Sequence, residues 1–158
     1  MRNWHKLNHP NVNPFYGWAM DKISFGDNLC LVSGFCARYS VSRYLRSEPH
    51  PDRWKIIIEI AAGLCYLHQN SIIHGDLKPN NVLVDADGKA RLCDFGLSIA
   101  LSDKLTRPDE PSRFYTPAYL APEMLEDDND SENGCRPPTI QSDVWSFGCT
   151  AMQVSPLP

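Results

Sequence analysis

Four polar side chains fall close together in the middle of this 158-residue chain: Asp76, Lys78 and Asn81, with Asp94 thirteen positions further on. A carboxylate can orient a hydroxyl and accept its proton, and an ammonium can balance charge on a transferring phosphate. A carboxamide and a second carboxylate supply the oxygen donors that Mg²⁺ prefers. Phosphoryl transfer needs these groups together. Two β-branched residues, Ile72 and Ile73, run straight into them through His74 and Gly75.

The surrounding elements must bring Asn81 and Asp94 to one place. Val82-Leu83-Val84 and Ala90-Arg91-Leu92 flank Asp85-Ala86-Asp87-Gly88, whose Asp-Gly supplies the positive φ of a hairpin turn. The spacing therefore predicts a hairpin with Asn81 at one open end and Asp94 at the other. Ile72-Ile73 reads as a short strand leading in. Upstream, a helix is expected from an Asp52 cap to His68-Gln69-Asn70. Its apolar residues fall at Trp54, Ile57, Ile58, Ala61 and Cys65, with a second stripe at Ile60, Leu64 and Leu67, so burial on most sides is expected. Phe15–Met20 and Asn28–Val32 read as a hairpin around the polar turn 21–27, and a short helix begins near Ser40. A last helix is expected from Ser142-Asp143, turning Val144, Trp145, Phe147 and Gly148 inward. Segments 102–112, rich in proline and polar residues, and 126–134, rich in acids, read as surface loops.

Composition excludes several classes. The net charge is −4 and no arginine cluster or basic stripe occurs, which argues against nucleic acid as a partner. The longest apolar-rich run, 54–67, is broken by Lys55 and Glu59 and is too short for a membrane segment. Six cysteines form no CxxC pair. Small buried thiols in a reducing compartment fit them better than a disulfide framework, so a cytoplasmic or nuclear location is expected. The histidines have no metal-ligand spacing with cysteine, and the acidic segment 127–134 fits no register of a calcium loop. Cys93 reads as buried filler rather than a reactive thiol.

The stretch His74-Gly75-Asp76-Leu77-Lys78-Pro79-Asn80-Asn81 resembles the protein-kinase catalytic loop H-R-D-L-K-P-x-N, with Gly75 in place of arginine. Asp94-Phe95-Gly96, Ala121-Pro122-Glu123 and Ser142-Asp143-Val144-Trp145-Ser146-Phe147-Gly148 follow in the family's order. An ordered set of four motifs is far more specific than any one of them. The chain thus resembles the eukaryotic protein kinases. The Asp143 helix is similar to that of the tyrosine-kinase-like group of Ser/Thr kinases, and Lys78 and Thr116 imply a Ser/Thr acceptor by the same resemblance.

The resemblance implies an α+β protein-kinase-like fold, incomplete, with residues 1–36 as the end of the N-lobe and the hinge and 37–158 as a partial C-lobe. It implies ATP and Mg²⁺ as cofactors and a protein with a Ser/Thr acceptor as substrate. Asp76 becomes the catalytic base and Lys78 the catalytic cation on the phosphate. Asn81 and Asp94 become metal ligands at the nucleotide. Leu83 would lie under the adenine, and the Gly34 carbonyl and Cys36 N–H would meet its edge, beside Ser33. His74 and Phe95 would join Phe15 in a hydrophobic spine, and Asp143 would accept backbone N–H bonds from the catalytic loop. Gly75 cannot hold an activation-loop phosphate, so activity independent of loop phosphorylation is expected.

The departures carry a second expectation. The family's glycine-rich loop, strand lysine and helix glutamate do not occur in these 158 residues, and no segment matches its later C-lobe helices. The chain therefore reads as the middle of a kinase domain, with little turnover by itself. The competing reading is a non-catalytic kinase-like interaction module. Intact Asp76, Asn81 and Asp94 favour catalysis, because a scaffold has no chemical need of them.

Overall fold

The structure is a computed structural model that describes residues 6–21, 28–95, 116–125 and 136–155. Phe15–Asp21 (β1) pairs antiparallel with Asn28–Ser33 (β2), Trp18 facing Leu31, with a bulge between Phe15 and Gly17. The expected turn at 22–27 lies outside the described residues, as do the loops 102–112 and 126–134. Val41–Ser47 (α1) follows from Ser40.

Arg53–Gln69 (α2) begins where expected, because the Asp52 carboxylate accepts the Lys55 N–H at 2.9 Å and satisfies a donor that the first turn leaves free. Its buried face differs from the expected one. Ile56, Ile60, Gly63, Leu64 and Leu67 point inward, whereas Trp54 and Ile58 are 60% and 66% exposed and Cys65 lies in solvent. The helix therefore buries one face rather than most sides. The second apolar stripe is the core stripe, because a 3.6-residue period cannot turn both toward the same neighbours.

Ile72 and Ile73 form no strand. Ser71 turns the chain with φ 57° and the Ile72 N–H donates to the Leu67 carbonyl at 2.9 Å, so the end of α2 takes the hydrogen bond that a ladder would have used. The second hairpin forms as expected, with Val82–Val84 (β3) and Ala90–Leu92 (β4) in the register Val82↔Leu92 and Val84↔Ala90. Gly88 holds φ 76° in its turn. Asp85 accepts the Asp87 and Lys89 N–H groups and pairs with Arg91 at 2.9 Å. Burial works against its charge, yet the Lys89 N–H and the Arg91 guanidinium win and hold its carboxyl below the usual range.

The core gathers around this hairpin. Val82, Val84, Ala90 and Leu92 are buried against Ile56, Ile60 and Leu67 of α2, and the Glu59 carboxylate accepts the Ala90 N–H at 2.7 Å. Segment 11–13 closes the free edge of β4, through Leu92 N–H to Asn11 O at 2.9 Å and Asn13 N–H to Leu92 O at 2.8 Å. Gly63 makes this approach possible. A Cβ built there would stand 2.5 Å from Asn11 O and 3.1 Å from Leu92 Cδ1. Gly63→Ala is expected to destabilise the fold by about 1–3 kcal/mol, the usual range for overpacking against a backbone that cannot retreat. Urea midpoints of the two forms measure it, and equal midpoints would show that segment 11–13 is free to shift.

Ile140–Val154 (α3) starts two residues before the expected Ser142. Thr139 caps it, accepting the Ser142 N–H at 3.1 Å, while Ser142 Oγ accepts the Thr139 N–H at 2.8 Å. This reciprocal pair makes Ser142 the third helical residue rather than the cap. The inward residues are Ser142, Asp143, Thr150 and Val154, with Phe147 half-buried; Val144, Trp145 and Gly148 face outward. Among the described residues, no helix is long and apolar enough to cross a membrane.

Candidate active site

The candidate constellation is assembled from four pieces of chain. A tight turn, Pro79–Asn81, closes with Asn81 N–H on Lys78 O at 2.9 Å and feeds β3. Across the hairpin, the Cys93 N–H donates to Asn81 O at 3.0 Å, which brings Asp94 to the mouth of the same hairpin. Asp94 is exposed and adopts φ 57°, a left-handed conformation that aspartate tolerates better than most residues. The Cys93 thiol between them is buried. Burial and then the Asp94 carboxylate push its pKa well up, which suits packing rather than reactivity.

Asp76, Lys78 and Asn81 touch one another. Lys78 Nζ donates to Asp76 Oδ2 at 2.6 Å, and Asn81 Nδ2 donates to the same oxygen at 2.9 Å and to Asp76 O at 2.8 Å. The other carboxylate oxygen, Oδ1, accepts the Thr116 hydroxyl at 3.0 Å, and Lys78 Nζ donates to Thr116 Oγ1 at 2.6 Å. One oxygen is thus fixed by protein groups, and the other already accepts an alcohol. Thr116 is delivered by segment 116–125, which α3 anchors through Ser146 Oγ donating to Tyr119 O at 2.8 Å.

Asp143 holds the loop from behind. Only 1% exposed, it accepts the His74 N–H at 2.8 Å and the Gly75 N–H at 2.9 Å, and pairs with His68 Nε2 at 2.8 Å. The Thr150 hydroxyl, also buried, donates to Leu77 O at 3.5 Å. His74 Nδ1 accepts the Asp76 N–H at 3.4 Å, so a neutral ring carries its proton on Nε2, which is buried with no hydrogen-bond partner among the described residues. Burial pushes the His74 pKa down, against Asp143, Asp76 and Asp94, which pull it up. Phe95 meets the ring edge-on at 6.3 Å. Phe15, the third residue expected in this spine, is half-buried on β1 with its ring edge-on to Trp18 at 5.7 Å.

The residues expected to meet a nucleotide base lie in a neighbouring cleft. Ser33, Gly34, Cys36 and Leu83 line an open cavity of about 660 Å³, inside the range of small-molecule sites. Ser40 bridges to Leu83, and the Val84 N–H donates to Tyr39 O at 2.7 Å, which joins this cleft to the hairpin that carries Asn81. The Gly34 carbonyl accepts Asn13 Nδ2 at 3.1 Å, and its second lone pair remains for a ligand.

A model of the protein kinase domain matches residues 1–155. The chain belongs to the protein kinase family. Its relatives include serine/threonine-protein kinase RUNKEL of Arabidopsis thaliana, 36% identical over 94% of this chain and 10% of that protein. Mitogen-activated protein kinase kinase kinase 12 of Rattus norvegicus is 33% identical over 94% of this chain and 15% of that protein. Serine/threonine-protein kinase PLK4 of Nematostella vectensis is 34% identical over 91% of this chain and 14% of that protein. The chain therefore spans a small part of the length of these relatives. By family it stands among the Ser/Thr protein kinases, and its small sheets and helices are of the α+β kinase-like class that the motifs imply.

The kinase cluster also contains residues that the motifs alone did not assign to it. Thr116 was legible only as a hint of acceptor type, because nothing in a 40-residue separation from Asp76 announces contact. His68 read as the end of α2, and Asn13 as an unremarked polar residue. Asn13 is buried beside the cleft, where its side-chain oxygen lies 3.6 Å from Cys36 Sγ. An Asn-rich segment before the first strand was the available signal, since buried carboxamides require partners.

Proposed function

We propose that this chain contributes the catalytic core of a Ser/Thr protein kinase, of the tyrosine-kinase-like group, that transfers the γ-phosphate of ATP to a protein hydroxyl. The observation that carries the proposal is the Asp76–Thr116 contact. A hydroxyl donates to Asp76 Oδ1 at 3.0 Å with Lys78 Nζ 2.6 Å from the same hydroxyl oxygen. In this reading an acceptor serine or threonine would make the same kind of contact with Asp76 Oδ1.

In this reading Asp76 orients the incoming hydroxyl and accepts its proton at Oδ1, while Lys78 and Asn81 fix Oδ2 so that the carboxylate does not rotate away. Lys78 is also the cation nearest the attacking oxygen. ATP would lie with its base in the cleft, over Leu83 and along the Gly34–Cys36 hinge that ends residues 1–36. Its phosphates would run to Asp94 and Lys78, on the 37–158 side.

The donor set fits a magnesium ion. Among the described residues no three His, Cys, Asp or Glu side chains converge to hold an ion by themselves. One carboxylate, Asp94, and one carboxamide oxygen, Asn81, are what an ion bound through substrate phosphates requires. The Asn81 amide nitrogen is spent on Asp76, which leaves its oxygen for a cation. When bound, the ion would neutralise charge on the phosphates.

The glycine-rich loop and strand lysine of complete kinase domains do not occur in the 158 residues, so the activity proposed is that of a full-length protein in which these residues stand together with those elements. The 158 residues alone are expected to turn over at background, because positioning of the phosphates supplies much of the rate. The test is transfer of labelled γ-phosphate to a serine peptide by both forms. Mg²⁺-dependent transfer by the full-length protein alone is expected. Its absence would remove the kinase reading, and robust transfer by the 158 residues would remove the dependence on the missing loop.

A further inference from the structure

We propose that Arg43, stacked over Tyr39 at the rim of the cleft, selects protein substrates that carry an acidic side chain near the acceptor hydroxyl; this rests on the kinase reading above. The Arg43 guanidinium carbon lies 3.8 Å from the centre of the Tyr39 ring, and both residues line the cleft with Leu83. Cation–π attraction at that distance holds the guanidinium over the ring, from where arginine can bind a carboxylate through two N–H bonds.

Tyr39 is built to stay there. Its backbone holds φ 61°, a conformation costly for a bulky L-residue. Three backbone bonds enforce it: Tyr39 N–H to Cys36 O at 3.1 Å, Val84 N–H to Tyr39 O at 2.7 Å, and Arg38 N–H to Val84 O at 3.0 Å. The rim is therefore tied to β3, and α1 packs against the Pro79–Asn81 turn, so Arg43 and the Asp76 cluster belong to one packed unit.

The cation is also uncompensated among the described residues. Among the described residues, Arg38 pairs with Glu48 at 3.5 Å and Arg91 with Asp85 at 2.9 Å, while no carboxylate lies within ion-pair distance of Arg43. The first turn of α1 carries no acid. On a chain of net charge −4, an arginine at the cleft with no ion pair among the described residues is a local reversal of sign. The phosphates are assigned to the Lys78 and Asp94 end, which leaves the rim cation for the other substrate. Such a charge acts through discrimination between partners rather than through bulk affinity.

The experiment uses the full-length protein and a serine-peptide set in which Glu, Ala or Lys is scanned through the positions flanking the acceptor. At one position or more, Glu is expected to exceed Lys in kcat/KM by about tenfold. Arg43→Glu should reverse that order, and Arg43→Lys should keep its sign at reduced size. The change should appear in KM for peptide rather than in KM for ATP. An unchanged peptide profile in an active Arg43→Glu enzyme overturns the proposal and leaves the kinase reading intact. A change confined to KM for ATP also overturns it, since Arg43 would then serve the nucleotide. No turnover on any peptide by the unsubstituted protein removes the kinase reading and this inference together.

Discussion

Asparagine in place of Asp76 is expected to lower turnover of the full-length protein by about 10²–10⁴, the range that a positioned general base supplies. Nucleotide affinity should change little. The substitution keeps the shape of the side chain and one oxygen, so contacts to Lys78 Nζ at 2.6 Å and Asn81 Nδ2 at 2.9 Å can be re-formed in part. What it removes is the capacity to take a proton from a hydroxyl placed as Thr116 is placed. Asp94→Asn should act differently. Asp94 is exposed at the mouth of the hairpin, and its side-chain contact is with Cys93 rather than Thr116, so the change removes charge from the proposed magnesium site and should weaken Mg²⁺-dependent nucleotide binding as well as turnover. Titrations with a fluorescent ATP analogue, with and without Mg²⁺, alongside initial rates separate the two. Equal losses of nucleotide affinity in both variants would remove the basis for assigning them separate roles.

The largest loss of stability is expected from Asp143→Ala. Three donors converge on that carboxylate: the His74 and Gly75 N–H groups and His68 Nε2, all within 2.9 Å. Alanine would leave two backbone donors of the catalytic loop unsatisfied beside a side chain that is 1% exposed. An orphaned buried donor costs about 1–3 kcal/mol, and breaking a buried charged contact about 3–5 kcal/mol, so a total of about 3 kcal/mol or more is expected. Asp143→Asn should lose less, because one carboxamide oxygen can still accept one of the two N–H bonds. Urea midpoints of the full-length protein at neutral pH give the comparison. If alanine cost no more than a surface substitution, about 0.5 kcal/mol, the loop would be held by other contacts, such as Thr150 on Leu77.

How far the sequence foretold this site depends on the distance over which each contact acts. The hairpin from Val82 to Leu92 was legible because its information is local: alternation, an Asp-Gly turn and two open ends that had to meet. The Asp52 cap of α2 was legible for the same reason. The buried face of that helix was not, since Trp54, Ile58 and Cys65 offer as good an apolar stripe as Ile56, Ile60 and Leu67 until the position of β4 is known. The start of α3 was misplaced because Thr139 and Ser142 cap each other reciprocally, and either residue type can serve as a cap. Ile72-Ile73 has strand propensity, but the Leu67 carbonyl claims its hydrogen bond. The Thr116 and His68 contacts span 40 and 75 residues, and no periodicity carries across such gaps. The ordered motifs gave the constellation, and the fold supplied the partners that hold it.

Gly75 sets a conformational cost on any side chain placed at its position. Its backbone sits at φ 79° while its N–H donates to Asp143 at 2.9 Å. Any L-residue placed there must either accept the left-handed conformation, at about 1–2 kcal/mol, or swing the N–H away from the carboxylate that anchors the loop. Arginine, the residue at this position in the motif H-R-D, would carry that cost against any contact its side chain made. The constraint is written in one backbone angle rather than in any side chain.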